Sequence, residues 1–491
     1  MALMDSSTEL PATIEVLTLN CWGLKFLATA RKDRLNEIGR RIAARNPSPE
    51  IVGLQECWTQ EDYQSIREQV RHILPYGKFY HSGIFGGGLV ILSKWPIEES
   101  SMVRYSLNGR PTAFFRGDWF VGKGVACARI RIGAGVRDIA EVFCTHLHAP
   151  YEREPHDSYI CHRTAQAWDI AKLMKGAVER GHLVIGLGDF NMLPLSLAHR
   201  LITTHASAQD SWRSLHPNSS VGAAIDDIER IRGRPKPTID FNLTENGATC
   251  DSALNTWRWD KAKRRELSKG ARIAIEGSTE DLRAKRLDYV FIGMTTHHFH
   301  TSTKFNSVDW GIADARVGMT ERHPALGCSL SDHFSVEVTL RRTPSAGSET
   351  IEDAVLEPDG KADSINENGA AVPDSRKRYL PSSTYDEILQ MIVKYTLRER
   401  GQRRLRLTHM LVQVMISICC FIAIWWSPHN FVAFILIVLS TFGLAFGIVD
   451  GLIGGLFVGS ELRALKEFEW EIKNARRGAI GMEEKDPVAS D

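Results

Sequence analysis

No Asp, Glu, Lys or Arg occurs between Arg406 and Asp450. A charge-free stretch of that length is the strongest constraint in the chain, because a water-facing helix or strand needs a polar side. Within it, 410–426 is an apolar run closed by a Trp pair, and 431–449 is a second run of 19 residues. The Ser427-Pro428-His429-Asn430 segment between them reads as a turn. About 20 apolar residues cross a bilayer, so the two runs predict a transmembrane helical hairpin, 408–459, with 410–426 the shorter span. Six basic residues against the single acid Glu399 precede it at 394–406, and a second basic cluster follows around 466–477. The excess of Lys and Arg at both ends places both ends in the cytosol and the turn on the far side. Asp450 is expected at the cytosolic interface, since a carboxylate at mid-bilayer is costly.

The remainder is that of an ordinary folded protein. Of 491 residues, 43% are hydrophobic and 24% charged, with a net charge of +1. That balance excludes a wholly disordered chain and a collagen-like fibre, and it argues against a dedicated nucleic-acid binder. The nine cysteines form no CxxC or zinc spacing, which suits reduced thiols in a reducing compartment. The first eleven residues lack the basic and apolar regions of a cleaved secretory signal.

From residue 14 to about 340, strand and helix signals alternate, which predicts a layered α/β unit. Residues 14–20, 51–54, 89–92, 125–132, 139–145 and 183–188 read as strands, with a Gly turn at 133–135. Helical spacing appears at 30–45, 61–74 and 155–178. Residues 260–286 carry nine basic and five acidic residues with little apolar periodicity, and read as an exposed basic insertion. Residues 343–386 are rich in Ser, Pro, Gly, Asp and Glu and read as a disordered linker. The organisation expected is therefore an α/β domain at 12–342, the linker, a basic juxtamembrane segment at 387–407, the hairpin, and a cytosolic tail at 460–491.

Chemistry-bearing residues recur at strand ends. Asn20, Glu56, His146 and Asp189 each follow an apolar run, with Asn191 two residues beyond Asp189. Asp288 and the Asp332-His333 pair each precede one. One polar residue at a strand end is ordinary turn chemistry. Six such positions imply one cluster, because a packed sheet sets equivalent strand ends side by side. The residue types fit phosphate-ester hydrolysis. A hard cation such as Mg²⁺ takes carboxylate, amide and water oxygens, which Glu56 with Asn20 provides. An imidazole held by a carboxylate, His333 with Asp288, accepts a proton from water near neutral pH. No Gly-Lys-Ser/Thr phosphate loop and no Gly-x-Ser-x-Gly elbow is present.

The ordered motifs Leu19-Asn20-Cys21-Trp22-Gly23, Leu54-Gln55-Glu56-Cys57-Trp58, Gly188-Asp189-Phe190-Asn191, Leu287-Asp288-Tyr289 and Ser331-Asp332-His333 resemble those of the DNase I-like superfamily. Cys144-Thr145-His146-Leu147-His148-Ala149, the segment from Asp118 to Gly124, Thr249-Cys250-Asp251-Ser252 and Leu254-Asn255-Thr256-Trp257-Arg258 narrow the resemblance to the neutral sphingomyelinases and the fungal inositol phosphosphingolipid phospholipases C. It covers about 14–342 and the hairpin.

That resemblance implies a DNase I-like four-layer α/β sandwich, two packed mixed sheets flanked by helices, with the site at one edge. It implies Glu56 as the main Mg²⁺ ligand beside Asn20, His333 as general base and Asp288 as its orienting partner. Asp189 and Asn191 would position water and a phosphate oxygen. His146 would serve the phosphate or the leaving group, Asp332 would assist at the metal, and Asp118 and Lys123 would form a regulatory switch. His148 and Asp210 are ambiguous between site and packing. The function implied is a membrane-anchored phospholipase C that hydrolyses the headgroup phosphodiester of inositol phosphosphingolipids, sphingomyelin or both. The alternatives are an inositol polyphosphate 5-phosphatase-like enzyme and a tethered inactive scaffold. Anionic phospholipids are expected activators, and Gly443 and Gly447 are expected to pack on the first span or on a second copy in a homodimer. The endoplasmic reticulum is the expected membrane, with mitochondria and plasma membrane as alternatives.

Overall fold

The computed structural model describes residues 9–152, 157–293, 309–343 and 379–483. They form two compact units. The first comprises the described residues within 1–103, 123–147 and 167–380, and the second those within 104–122, 148–166 and 381–491.

The first unit is built on two six-stranded sheets. One runs in the order β11 (Asp309–Gly318), β12 (Ser335–Thr343), β1 (Thr13–Asn20), β2 (Ile51–Gln55), β4 (Leu89–Ser93), β3 (Tyr76–Tyr80). The other runs β5 (Ile97–Arg104), β6 (Gly124–Arg131), β7 (Ile139–His146), β8 (Leu183–Asp189), β10 (Asp288–Gly293), β9 (Ala208–Asp210). Both are mixed: β1 and β2 pair in parallel while β1 and β12 pair antiparallel, and β7–β8 and β8–β10 repeat that arrangement.

The pleat explains the layers. Along β1, Ile14 and Val16 join the core between the sheets, whereas Leu17 and Leu19 turn to the other face. On that face they meet Leu35, Ile38 and Ile42 of helix Arg31–Ala43 and Ile66 and Val70 of helix Gln60–Val70. Met174 of helix Ile160–Glu179 closes on Gly186 of β8, covering the second sheet. A Cβ added at Gly53 of β2 would lie 1.9 Å from Leu187 of β8, so the sheets approach as closely as a missing side chain allows. This is the DNase I-like sandwich expected from the sequence.

Several boundaries differ from expectation. The helix expected at 155–178 runs Ile160–Glu179, and Pro155 lies outside the described residues. The 260–286 segment is only in part an exposed insertion. Its helix Lys261–Ser268 is exposed except for buried Leu267, and Asp281 accepts from Ser252 Oγ at 2.6 Å and Ala253 N at 3.0 Å. Arg286 is buried on Asp210. Composition could not show that these charges are paired internally. Most of the 343–386 linker lies outside the described residues, but a helix begins at Ser382, inside the expected linker.

In the second unit that helix runs Ser382–Ile424, so juxtamembrane segment and first span are one 43-residue element. The return helix Asn430–Leu452 passes through a π-turn at Ile453–Phe457 into Val458–Glu483. Both are long and apolar enough to cross a membrane. Gly443 and Gly447 lie against Gln413 of the first helix, where added Cβ atoms would come within 2.6 and 2.8 Å of its side chain. The small residues therefore serve close packing inside the hairpin. Asp450 pairs with Arg406 and, at 2.8 Å, with His409, so the first charge after the apolar stretch is neutralised across the hairpin by the last charge before it.

Candidate active site

Strand register brings the polar ends together. Asn20 ends β1 beside Gln55, the residue before Glu56. In the second sheet Asp189 stands opposite both His146 and Asp288. Asn20 joins the two sheets: its Nδ2 donates to Glu56 Oε1 at 3.1 Å and to Asp189 Oδ2 at 3.0 Å. Its Oδ1 accepts from Trp22 N at 3.0 Å. The amide thus spends both hydrogens and its oxygen on protein partners, a finding the metal-ligand expectation for Asn20 did not anticipate.

His333 Nδ1 lies 2.8 Å from Asp288 Oδ2, and its Nε2 lies 4.0 Å from Asp189 Oδ2. His146 Nε2 lies 3.5 Å from the same Asp189 oxygen. Asn191 N donates to Asp189 Oδ1 at 2.9 Å, and its Nδ2 donates to Leu147 O at 3.1 Å. Lys123 Nζ donates to the carbonyls of His146 and Leu147 at 3.4 and 3.2 Å. Asp332 is close enough to Glu56 to raise its pKa. Seven of the expected residues plus Lys123 and Asp332 therefore belong to one assembly in the first unit. Asp118 belongs to the second unit, where Tyr151 Oη donates to it at 2.7 Å and His148 Nε2 lies 3.7 Å away. His148, buried and stacked on Tyr159 at 3.8 Å, belongs there too.

The electrostatics are those of concentrated, buried negative charge. Burial raises the Glu56 carboxyl above its ordinary range and Asp332 adds to it, against Asn20, Lys123 and His333. Burial also raises Asp189. For His333, burial disfavours the charged ring, but Cys250, Asp288 and Asp189 outweigh it and lift the imidazole well above its usual value. Two carboxylate oxygens, Glu56 Oε2 and Asp288 Oδ1, are buried without a hydrogen-bond partner among the described residues. Leaving such atoms unmet is expensive, and an all-oxygen donor set of this kind fits a hard divalent cation. Ligand atoms of Asp189, Asp288 and His333 also lie within 4.8 Å of one another, close enough to hold a divalent metal.

Backbone strain concentrates here. Trp22, Glu56, Asn191 and Asp251 all have positive φ (48°, 55°, 46° and 61°), a conformation non-glycine residues hold only when their surroundings enforce it. Asp251 was not singled out for a role from the sequence. It binds Arg258 at 2.7 Å and Lys285 at 3.0 Å, and Arg258 also feels Asp332. Arg258 is thus a cation beside the site that the sequence did not mark as a candidate. Its only sequence signal was its place in the Asn255-Thr256-Trp257-Arg258 motif. Asp210, by contrast, is structural: it caps helix Ser211–Leu215 and binds buried Arg286 at 2.8 Å and His199 at 2.9 Å.

Residues 17–333 match the endonuclease/exonuclease/phosphatase family. The chain is 37% identical to inositol phosphosphingolipids phospholipase C of Schizosaccharomyces pombe, over 96% of each chain. The chain belongs to the inositol phosphosphingolipid phospholipase C and neutral sphingomyelinase family. The Saccharomyces cerevisiae member bearing the first name is 32% identical over 96% of this chain and 92% of its own. Sphingomyelin phosphodiesterase 2 of Homo sapiens is 34% identical over 40% of this chain and 46% of its own. Within this family the fungal relatives match across the hairpin as well as the sandwich.

Proposed function

We propose that this chain is a membrane-anchored, Mg²⁺-dependent phospholipase C that hydrolyses the headgroup phosphodiester of a sphingolipid, yielding ceramide and a phosphorylated headgroup. The observation that carries this reading is the His333–Asp288 pair at 2.8 Å, with Asp189 between it and Glu56, whose Oε2 is buried without a hydrogen-bond partner among the described residues. It combines a proton acceptor, its orienting carboxylate and a cation-binding oxygen at one strand-end cluster.

Glu56 would hold the Mg²⁺, with Asp332 beside it. Asn20 acts as the residue that aims Glu56 and Asp189, since its donors are committed to them. A divalent cation supplies positive charge for the phosphoryl oxygens and lowers the pKa of neighbouring groups. Asp288 fixes the ring of His333 through Nδ1, so that Nε2 faces the reaction. His333 Nε2 accepts a proton from the attacking water as its oxygen bonds to phosphorus. Asp189 and Asn191 orient that water and a phosphoryl oxygen. His146 stabilises the phosphate or protonates the departing ceramide oxygen, and Lys123 offsets charge on the Glu56 side. Asp118 is proposed to act with Lys123 as the regulatory switch.

The substrate is a lipid of the bilayer that anchors the enzyme, so tethering raises its effective concentration. The catalytic unit is proposed to be cytosolic, at the endoplasmic reticulum. Anionic phospholipids are proposed activators. A cleft of 740 Å³ in the second unit is lined by Arg400, Arg403, Arg404, Arg463 and Lys466, and each basic residue near an anionic leaflet gains about 1 kcal/mol. Headgroup choice is tested by a lipid panel offered to the purified full chain, with and without Mg²⁺, scoring ceramide and headgroup phosphate. Mg²⁺-dependent ceramide release from inositol phosphosphingolipids or sphingomyelin supports the reading. Release of inorganic phosphate from soluble inositol phosphates alone would replace it with a phosphatase.

A further inference from the structure

Two loops pack on the Glu56 backbone, and both carry exposed apolar side chains. The first follows Asn20. Gly23 lies so close to Glu56 that a Cβ there would stand 2.3 Å from its carbonyl oxygen. The chain then presents Phe26, 90% exposed, and Leu27, 75% exposed. The second loop returns to Glu56 at Gly88, where a Cβ would stand 3.3 Å from Glu56 Cα, and Cys57 N donates to Gly88 O at 3.0 Å. Ahead of that contact it presents Ile84, 75% exposed, and Phe85, 58% exposed. Neither loop, 22–30 or 81–88, contains an acidic residue, and the first carries Lys25.

Exposed large apolar side chains scattered singly over a surface need no explanation. Here four are paired on two loops that are pinned to the same residue of the site. The chemistry matches one partner, the polar–apolar boundary of a bilayer: aromatic and aliphatic tips enter the acyl region, Lys25 stays among the phosphates, and no carboxylate is desolvated or repelled. A protein partner would have to bury the same tips against a pocket of its own, whereas this chain carries two helices long and apolar enough to cross a membrane.

We propose that Phe26, Leu27, Ile84 and Phe85 form an interfacial rim that inserts into the leaflet and sets the depth at which a headgroup phosphate meets Glu56. The proposal rests on the phospholipase reading of the site. Insertion itself is a separate property, and it determines how a lipid reaches the metal side without passing through bulk water.

The test is depth-dependent quenching in lipid. Full-length protein is reconstituted in nanodiscs containing lipids with a spin label along the acyl chain. A fluorophore is attached to cysteine introduced by Phe26→Cys or Phe85→Cys, in a Cys127→Ser/Cys419→Ser background, the other cysteines being buried. Val136→Cys, at an exposed apolar position (86%) on the turn between β6 and β7, is the reference. Insertion predicts strong acyl-chain quenching at 26 and 85 and little at 136. Equal quenching at all three positions overturns the proposal. A second readout is the ratio of turnover on vesicles to turnover on a monomeric short-chain substrate, expected to fall roughly tenfold or more in Phe26→Ser/Phe85→Ser, the scale of losing a buried aromatic contact. An unchanged ratio also overturns it. Quenching at 26 and 85 with no sphingolipid hydrolysed by the unsubstituted protein would instead reject the activity reading.

Discussion

The amide of Asn20 donates to Asp189 across 3.0 Å, joining the end of a strand in one sheet to the end of a strand in the other. The same nitrogen holds Glu56. One side chain therefore sets the distance between the proposed metal side and the water-orienting side. Asn20→Ala removes both bonds and frees two buried carboxylates. The expected result is a loss in kcat of about a hundredfold or more, with the fold retained by circular dichroism. A loss confined to KM would mean that Asn20 contributes to binding only.

Metal binding should weaken as pH falls. Burial and Asp332 raise the Glu56 carboxyl in the metal-free protein, so it keeps its proton to a higher pH than an exposed glutamate. A cation must displace that proton, and its affinity therefore climbs as pH rises through the raised pKa. Titration calorimetry with Mg²⁺ across pH 5 to 8 would show the slope. Glu56→Gln should weaken binding and flatten that dependence.

Arg258, which binds Asp251 beside the site, is expected to meet a phosphoryl oxygen. Arg258→Ala should raise KM more than it lowers kcat, by about tenfold, with partial rescue by Arg258→Lys. Steady-state kinetics on vesicles separates the two parameters.

Breaking the buried pair behind the site should destabilise the sandwich without touching its chemistry. Arg286→Met leaves the buried Asp210 carboxylate without its guanidinium, held only by His199 and the helix N–H groups, at a cost of about 3 kcal/mol. Burial opposes the Asp210 charge, but Arg286 and His199 outweigh it and hold the carboxyl well below its ordinary range. A carboxyl depressed on folding contributes stability above its unfolded pKa of about 3.9 and loses it as pH falls below that value. Urea unfolding should show the wild-type advantage over Arg286→Met shrinking below pH 4.

Activation by anionic lipid should depend on some of the juxtamembrane cations and not on others. Arg398 is committed to Glu399 at 3.0 Å, and Arg406 to Asp450. Arg400, Arg403 and Arg404 line the basic cleft instead. Neutralising these three to Gln should abolish most of the stimulation measured in vesicles with added acidic lipid, while activity in neutral vesicles persists. Equal stimulation of both proteins would reject the role.

The sequence made the polar strand ends legible because each was a single polar residue against an apolar run, and because Asn20, Glu56, Asp189, Asp288 and His333 kept a recognisable order. It also marked the hairpin, since a charge-free stretch has few alternatives. It could not show that Asn20 spends its amide on two carboxylates, that Asp251 sits at φ 61° to hold Arg258 and Lys285, or that Arg286 is buried. Those facts depend on pairings between residues distant in the chain. Nor could composition reveal that Gly447 closes on Gln413 within one chain, because a small-residue stripe does not name its partner.

The central claim is that His333, oriented by Asp288, removes the proton from the attacking water. It is tested most directly by comparing kcat and KM of His333→Ala with wild type at saturating Mg²⁺ across pH, on protein whose fold is verified. The account predicts a kcat lower by about 10²–10⁴-fold, KM within a few-fold, and loss of the acid limb of the rate profile. A His333→Ala enzyme that retains most of its kcat and its acid limb would contradict it.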